Sequence, residues 1–184
     1  MTHDTIPSQP ETIPIVDLAP FLEGTPAGKQ AVGAAIRQAA ESVGFMVISG
    51  HGVDPAVVDA VFKASQRFHQ LPEQERLKIK VNPSHRGFIP MNNSKINGTA
   101  KPSMNESFLA GLDLGPDDPD VQAGTPLHGP NQWPSGLPGF REDVEAYQKA
   151  MNELGHQVLR AFAVALGLDE EFFMPFFAKP MPFV

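Results

Sequence analysis

A long series of apolar residues with helical spacing constrains the fold of this 184-residue chain most strongly. Successive members of the series are four or three positions apart, which places them on one face of an α-helix. The series consists of Phe140, Val144, Tyr147, Met151, Leu154, Val158, Phe162 and Leu166. Gly167 follows it and is typical of a helix end. We therefore predict one long amphipathic helix that ends at this glycine.

The N-terminal half alternates between short strands and helices. Residues 13–18 and 45–48 are compact apolar runs and predict two strands. Thr25 precedes Pro26, and Asp54 precedes a second proline, which is the pattern of a capping side chain before the first residue of a helix. The apolar face of the helix that starts after Asp54 is predicted to comprise Val57, Val58, Val61, Phe62, Ser65 and Phe68.

The stretch from residue 82 to residue 138 is rich in Gly, Pro and Asn, and two short runs in it predict strands. These are residues 87–89 and 106–110, with a predicted loop over 92–102 between them. Acids at residues 73 and 75 predict the first turn of a short helix, because a helix N-terminus favours negative charge. A short aromatic helix is predicted over 169–177.

Composition excludes several classes of protein. The apolar share of 41% is enough for a core, and no apolar run approaches the length of a membrane span. The formal net charge is −7, and residues 101–184 carry 5 basic and 12 acidic side chains, so binding to nucleic acid is not expected. There is no cysteine, which excludes disulfides and fits a cytoplasmic location. We expect no secretory signal at the N-terminus.

Several short motifs occur in one order along the chain. They are IPIVDL at 13–18, GFMVISGHGV at 44–53, LPEQER at 71–76, RGF at 86–88, NESF at 105–108, HGPNQWP at 128–134 and PGF at 138–140. In that order they resemble the N-terminal region of isopenicillin-N-synthase-like and 2-oxoglutarate-dependent Fe(II) dioxygenases. The resemblance extends from about residue 13 to residue 177.

The resemblance implies a mixed α+β fold. N-terminal helices would form a scaffold around the first strands of a double-stranded β-helix, or jelly-roll, and the chain would stop before the jelly-roll core. The corresponding regions are a flexible N-terminus at 1–12, an N-terminal dioxygenase region at 13–137, and at 138–184 the long scaffold helix with the start of the jelly-roll core. The apolar ending, residues 181–184, suggests a truncated chain.

The family also implies Fe(II) and 2-oxoglutarate, which are held by a His-x-Asp motif, a distant His and an Arg-x-Ser motif. The six histidines are His3, His51, His69, His85, His128 and His156, and none is followed two positions later by Asp or Glu. No Arg-x-Ser occurs either. We therefore expect neither iron nor 2-oxoglutarate to bind this chain alone, and no catalytic or metal-binding residue is predicted.

Arg86, Phe88 and Asn97 are the predicted substrate-binding residues. In isopenicillin-N-synthase-like enzymes an arginine at the position of Arg86 contacts a substrate carboxylate, and a guanidinium suits that role. The alternative is that Arg86 pairs with a nearby acid, such as Glu106, and only joins two strands. Phe88 would line the pocket or belong to the core, and Asn97 lies in a loop that often covers the pocket mouth.

The expected function of the full-length protein is oxidation of a small organic substrate by molecular oxygen, with 2-oxoglutarate. Two alternatives remain open. One is an oxidase similar to isopenicillin N synthase, which uses no 2-oxoglutarate, and the other is a short non-catalytic scaffold that binds a ligand or partner. Since a truncated jelly-roll exposes an unpaired sheet edge, the chain alone is expected to self-associate.

Overall fold

A computed structural model of the protein describes residues 12–92 and 103–184. The helices and strands follow in the order β1 (Ile15–Asp17), α1 (Ala19–Leu22), α2 (Pro26–Ser42), β2 (Val47–Ser49), α3 (Pro55–His69), α4 (Glu73–Leu77), β3 (Gly87–Ile89), β4 (Ser107–Leu109), α5 (Pro119–Gln122), α6 (Phe140–Ala165) and a final 3-10 helix (Met174–Phe177). Within the described ranges, no helix is long and apolar enough to cross a membrane.

The chain divides into two compact units, and the mixed α+β class is confirmed in both. The first unit comprises Met1–Val53 and Glu153–Lys179, and the second comprises Asp54–Asn152 and Pro180–Val184. Of the three predicted regions, the flexible N-terminus at 1–12 lies outside the described residues except for Thr12.

The first unit contains a parallel pair of strands and helix α2. In the pair, β1 lies beside β2 with Val16 opposite Ile48. Helix α2 begins as predicted, since the Thr25 side chain accepts a hydrogen bond from the Gly28 N–H at 3.1 Å. The core is mostly aliphatic and consists of Val16, Leu18, Phe21, Val32, Ile36, Ala39, Ala161 and Ala165.

Close packing in the first unit depends on a glycine. A Cβ atom added to Gly33 would lie 2.9 Å from Cγ1 of Val164 and 3.2 Å from the backbone nitrogen of Ala165. The missing side chain therefore lets α2 approach the end of α6 closely. Helix α6 stops at Ala165, and Gly167 has a φ of +74°, as the predicted helix end requires.

The second unit is built on an antiparallel strand pair and an aromatic core. Strand β3 lies beside β4 with Phe88 opposite Phe108. Immediately after β4, Ala110 and Val184 exchange two backbone hydrogen bonds of 2.9 Å. The core consists of Ala64, Phe68, Phe88, Ala110, Phe140 and Val144, with Phe108 and Trp133 packed against it.

Two details of the predicted helices are wrong. Phe62 is 69% exposed, and Ala64 is fully buried in its place. The buried stripe of α3 runs through Val61, Ala64 and Phe68, and Phe62 lies one residue off that stripe and so points elsewhere. The predicted aromatic helix shrinks to the 3-10 helix, and α1 and α5 were not predicted because four residues show no periodicity.

Candidate functional site

Arg86 lies immediately before β3 and is fully buried in the second unit. Its Nη1 atom donates to the carbonyl of Ser84 at 2.7 Å. Its Nη2 atom donates to the carbonyls of Leu112 and Leu127 at 3.2 and 3.1 Å. One guanidinium therefore ties together three backbone segments that are distant in sequence.

The charge of Arg86 is only weakly compensated. Its Nε atom is buried and has no hydrogen-bond partner within the described residues. The ring of Phe183 lies 4.6 Å from the guanidinium carbon, which is a cation–π contact. Burial lowers the pKa of Arg86, and the nearby negative charge of Asp113 opposes that effect. The predicted pairing with Glu106 is wrong, because backbone carbonyls occupy both Nη atoms.

Glu106 instead forms a charged cluster with two other side chains. Its Oε1 atom lies 2.8 Å from Nδ1 of His69 at the end of α3, and it also accepts a hydrogen bond from Arg76. Burial raises the pKa of Glu106, but the hydrogen bonds and positive charges of His69 and Arg76 outweigh it. The pKa of this carboxyl therefore lies below its ordinary value.

The sequence did not reveal this cluster. His69 shows no partner in the local pattern, because Glu106 is 37 residues away. Arg76 belongs to the LPEQER motif and donates from Nε to the carbonyl of Leu71. Its guanidinium also lies 4.8 Å from the ring of Phe88. Strand pairing and helix packing together bring these groups into contact.

A cavity of about 450 Å³ lies beside the cluster in the second unit. Its walls are mostly apolar and aromatic, with polar groups from three side chains. The lining residues are Val61, Ser65, Phe68, His69, Phe108, Phe140, Val144, Tyr147, Met151, Phe183 and Val184. The size and the mixture of rings with a few polar groups are typical of small-molecule sites.

The three predicted substrate residues do not meet at this cavity. Arg86 and Phe88 are absent from its lining. Phe88 is fully buried, with its ring 5.8 Å from that of Phe68, which matches the core alternative. Asn97 lies outside the described residues. Substrate contact by any of the three stays a prediction.

Two of the other motifs contribute structural contacts. The Nδ1 atom of His51 accepts a hydrogen bond from the Val53 N–H at 3.1 Å. The Trp133 ring packs 5.9 Å from that of Phe108. Asn131 is bonded twice to the backbone of Gly111, through its side-chain oxygen at 2.8 Å and its nitrogen at 2.9 Å. The HGPNQWP motif is therefore a packing element.

Comparison with known proteins identifies the class. The family model described as "non-haem dioxygenase in morphine synthesis N-terminal" matches residues 13–136. The chain therefore belongs to the family of non-haem dioxygenases that carry this N-terminal region. The resemblance that the ordered motifs indicated is confirmed.

Two curated relatives are described as enzymes that use 2-oxoglutarate. The chain is 32% identical to a 2-oxoglutarate-Fe(II) type oxidoreductase, hxnY, of Emericella nidulans over 171 residues, which are 90% of this chain and 49% of the relative. It is 34% identical to a 2-oxoglutarate-dependent dioxygenase, citB, of Monascus ruber, over 84% of this chain and 48% of the relative. The chain thus spans about half the length of these curated relatives.

Solved structures show the same fold. A 2OG-Fe(II) oxygenase family protein from Caulobacter crescentus has a TM-score of 0.76 and 25% identity, covering 89% of this chain and 52% of that one. A Neurospora crassa enzyme in complex with alpha-KG and thymine has a TM-score of 0.72 and 26% identity, covering 88% of this chain and 50% of that one.

The residues present do not fit the iron that the family implies. Across residues 12–92 and 103–184, no group of three or more His, Asp or Glu side chains could hold a metal ion. An iron site of this class needs two histidines and one carboxylate.

Proposed function

We propose that the whole protein in which this chain occurs is an Fe(II)- and 2-oxoglutarate-dependent dioxygenase that oxidises a small organic molecule with molecular oxygen. The match of residues 13–136 to the dioxygenase family carries the proposal. It concerns a whole enzyme, because the chain spans about half the length of its curated relatives.

The relatives favour a reaction that uses 2-oxoglutarate over the oxidase alternative. Their descriptions name 2-oxoglutarate, and the Neurospora crassa enzyme was solved with alpha-KG. The same structure contains thymine, which makes a small organic molecule the reasonable class of substrate. The choice among small molecules does not follow from these residues.

The role proposed for this chain is to scaffold a jelly-roll. The supporting observation is the antiparallel bridge of Phe183 with Gly111 and the paired hydrogen bonds of Val184 with Ala110. These contacts bring the last residues of the chain beside those that follow β4, which is where a further strand of a jelly-roll sheet would be added. The same sheet edge supports the proposal that the chain alone self-associates, which sedimentation velocity at several concentrations would measure.

Arg86 is proposed to bind a carboxylate of the substrate. The support is electrostatic, since its hydrogen bonds go to neutral carbonyls and its Nε atom remains without a partner in the described structure. Phe88 and Asn97 are also proposed to contact the substrate, and only their positions in the sequence support this. In the whole enzyme, Arg86→Lys is expected to raise KM more than it lowers kcat, because a single ammonium cannot replace a fork of donors.

The decisive experiment measures consumption of 2-oxoglutarate together with binding of iron. The whole protein should bind Fe(II) under anaerobic conditions and convert 2-oxoglutarate and oxygen to succinate and carbon dioxide. The 184-residue chain alone, as the matched control, should give no Fe(II) heat in calorimetry. A whole protein that turns over substrate without 2-oxoglutarate supports the oxidase alternative. One that binds no Fe(II) supports the non-catalytic scaffold.

A further inference from the structure

The pair of strands β1 and β2 in the first unit has one covered face and one exposed face. Val16 is buried in the core of that unit, and Met46 and Ile48 pack against the same core. Successive side chains of a strand point to opposite faces of the sheet. Ile15 and Val47, which lie opposite each other in the pair, are therefore neighbours on the other face.

The exposed face is apolar. The side chains of Ile15 and Val47 are 71% and 50% exposed. Ile13 and Phe45 each lie two residues earlier, which is the spacing that keeps the side chains of an extended chain on one face, and they are 55% and 73% exposed. Large apolar residues thus occupy the positions that a solvated sheet face fills with polar residues. We call these four side chains the open face.

Parallel strands with an apolar open face are built to be covered. Parallel sheets occur almost only where both faces are packed, and their strands are then apolar throughout, as residues 13–16 and 45–48 are. Four large side chains, all at least half exposed, also form an apolar patch of the order of area that marks an interaction site. The open face is therefore expected to contact another protein surface.

The length of the relatives indicates which surface covers the open face. The family model that matches residues 13–136 is described as an N-terminal region, and the chain spans about half the length of its curated relatives. A whole protein of that length contributes about as many residues again. Because these residues belong to the same molecule, they reach the open face at a high effective concentration, which favours them over a second copy of the chain.

We propose that the open face is a docking surface for the part of the whole protein that lies outside these 184 residues, which covers it with an apolar surface of its own. This assigns to the first unit a role that involves neither the cavity nor the Glu106 cluster of the second unit. The proposal rests on the proposed function in one respect, namely that the whole protein is longer than this chain.

Single cysteines test the proposal, because the chain contains none of its own. Ile15→Cys and Val47→Cys place a thiol on the open face, and Ala40→Cys, at an exposed position of α2, is the matched control. The reagent is N-ethylmaleimide, and peptide mass spectrometry follows each thiol separately in the 184-residue chain and in the whole protein.

The expected result is a difference between the two proteins that is confined to the open face. Each open-face thiol should react at least about tenfold more slowly in the whole protein than in the chain, since a covered thiol reacts only when the contact opens. The Ala40→Cys thiol should react at the same rate in both. Oxidation of Phe45 by hydroxyl radicals gives the same comparison without any substitution, so a variant that fails to fold leaves the test intact.

Two outcomes would overturn the proposal. One is equal reactivity of the open-face thiols, and equal oxidation of Phe45, in the chain and in the whole protein. The other is protection in the chain itself, and an increase of that protection with protein concentration would identify a second copy as the occupant. An inactive whole protein that protects these thiols contradicts only the proposed function, whereas an active enzyme with reactive thiols contradicts only the docking surface.

Discussion

The two units bury apolar surface with different kinds of side chain. The core of the first unit consists of alanines and aliphatic residues with one ring, Phe21, and contains no buried charged residue among those described. The core of the second unit is a cluster of aromatic rings next to the fully buried Arg86. Both are built around short strands and helices, so the class of fold does not explain the contrast.

The difference between the two cores bears on where a small-molecule site can form. Small side chains allow close backbone approach, as at Gly33. Rings are rigid and prefer offset or edge-on contacts, so they form walls that can enclose a cavity. The cavity, the Glu106 cluster and Arg86 all belong to the second unit.

Removal of Phe68, the central ring of the second unit's core, tests the contrast between the two cores most strongly. Phe68 contacts the rings of Phe88, Phe108 and Phe140, and Phe68→Ala should lower the free energy of unfolding by about 3–5 kcal/mol. Phe62→Ala on the same helix is the matched control, with an expected change within about 0.5 kcal/mol because the ring is exposed. Urea denaturation followed by Trp133 fluorescence measures both, and equal losses would contradict the aromatic core.

Removal of the buried charge should have the next largest effect. Arg86→Met leaves three carbonyls without their donor, and a loss of about 3 kcal/mol is expected. Arg37→Met is the control from the first unit, where a half-exposed guanidinium donates to a single carbonyl, that of Ala165. Its expected loss is about 1 kcal/mol. An Arg86 variant as stable as the Arg37 variant would show that the three hydrogen bonds contribute little.

The Glu106 cluster predicts a pH dependence. Its folded-state pKa lies below the ordinary value of 4.5, so its contribution to stability is present above that value and is lost as pH falls through the lower, folded value. Glu106→Gln should lower the free energy of unfolding by about 1–2 kcal/mol at pH 7. The difference between the two proteins should shrink as pH falls below the ordinary value.

The first unit provides the control for this pH effect. Glu171 pairs with Arg160 at 2.6 Å, and this interaction lowers its pKa too, but the side chain is exposed. Glu171→Gln should therefore change the urea midpoint too little to measure at any pH. A pH-dependent difference as large as that of Glu106→Gln would mean that burial of the Glu106 cluster is not what matters.

Local patterns predicted most elements of the fold. The spacing from Phe140 onward predicted α6, and Thr25 and Asp54 predicted where α2 and α3 begin, because caps and periodicity act within a few residues. The ordered motifs also indicated the family. The prediction that Phe62 lies on the apolar face of α3 was wrong, because the run of apolar residues in this helix is broader than its buried stripe.

The candidate site could not be predicted in the same way. Glu106 meets His69 and Arg76 only through strand pairing and helix packing across 37 and 30 residues. The same holds for the carbonyls that Arg86 contacts, up to 41 residues away. The type of residue indicated that Arg86 matters, but its partners depend on tertiary contacts that no local pattern encodes.

The smallest predicted effect tests whether the two units differ outside their cores. Thr25 caps α2 in the first unit, and Asp54 caps α3 in the second by accepting from the Ala56 N–H at 2.8 Å. Replacement of either by alanine should cost about 1 kcal/mol, since a cap depends on its own helix and not on the core beneath it. Thr25→Ser and Asp54→Asn keep an acceptor and should be nearly neutral.

Ionic strength separates the effect of the Asp54 charge from that of the hydrogen bond, which both caps form. Asp54 adds a negative charge at a helix N-terminus, so Asp54→Ala should cost slightly more than Thr25→Ala at low ionic strength and the same at high ionic strength. Far-ultraviolet circular dichroism during thermal denaturation measures both variants under both conditions. A cap that costs several times more in one unit than in the other, at high salt, would show that the difference between the units extends from their cores to their helix ends.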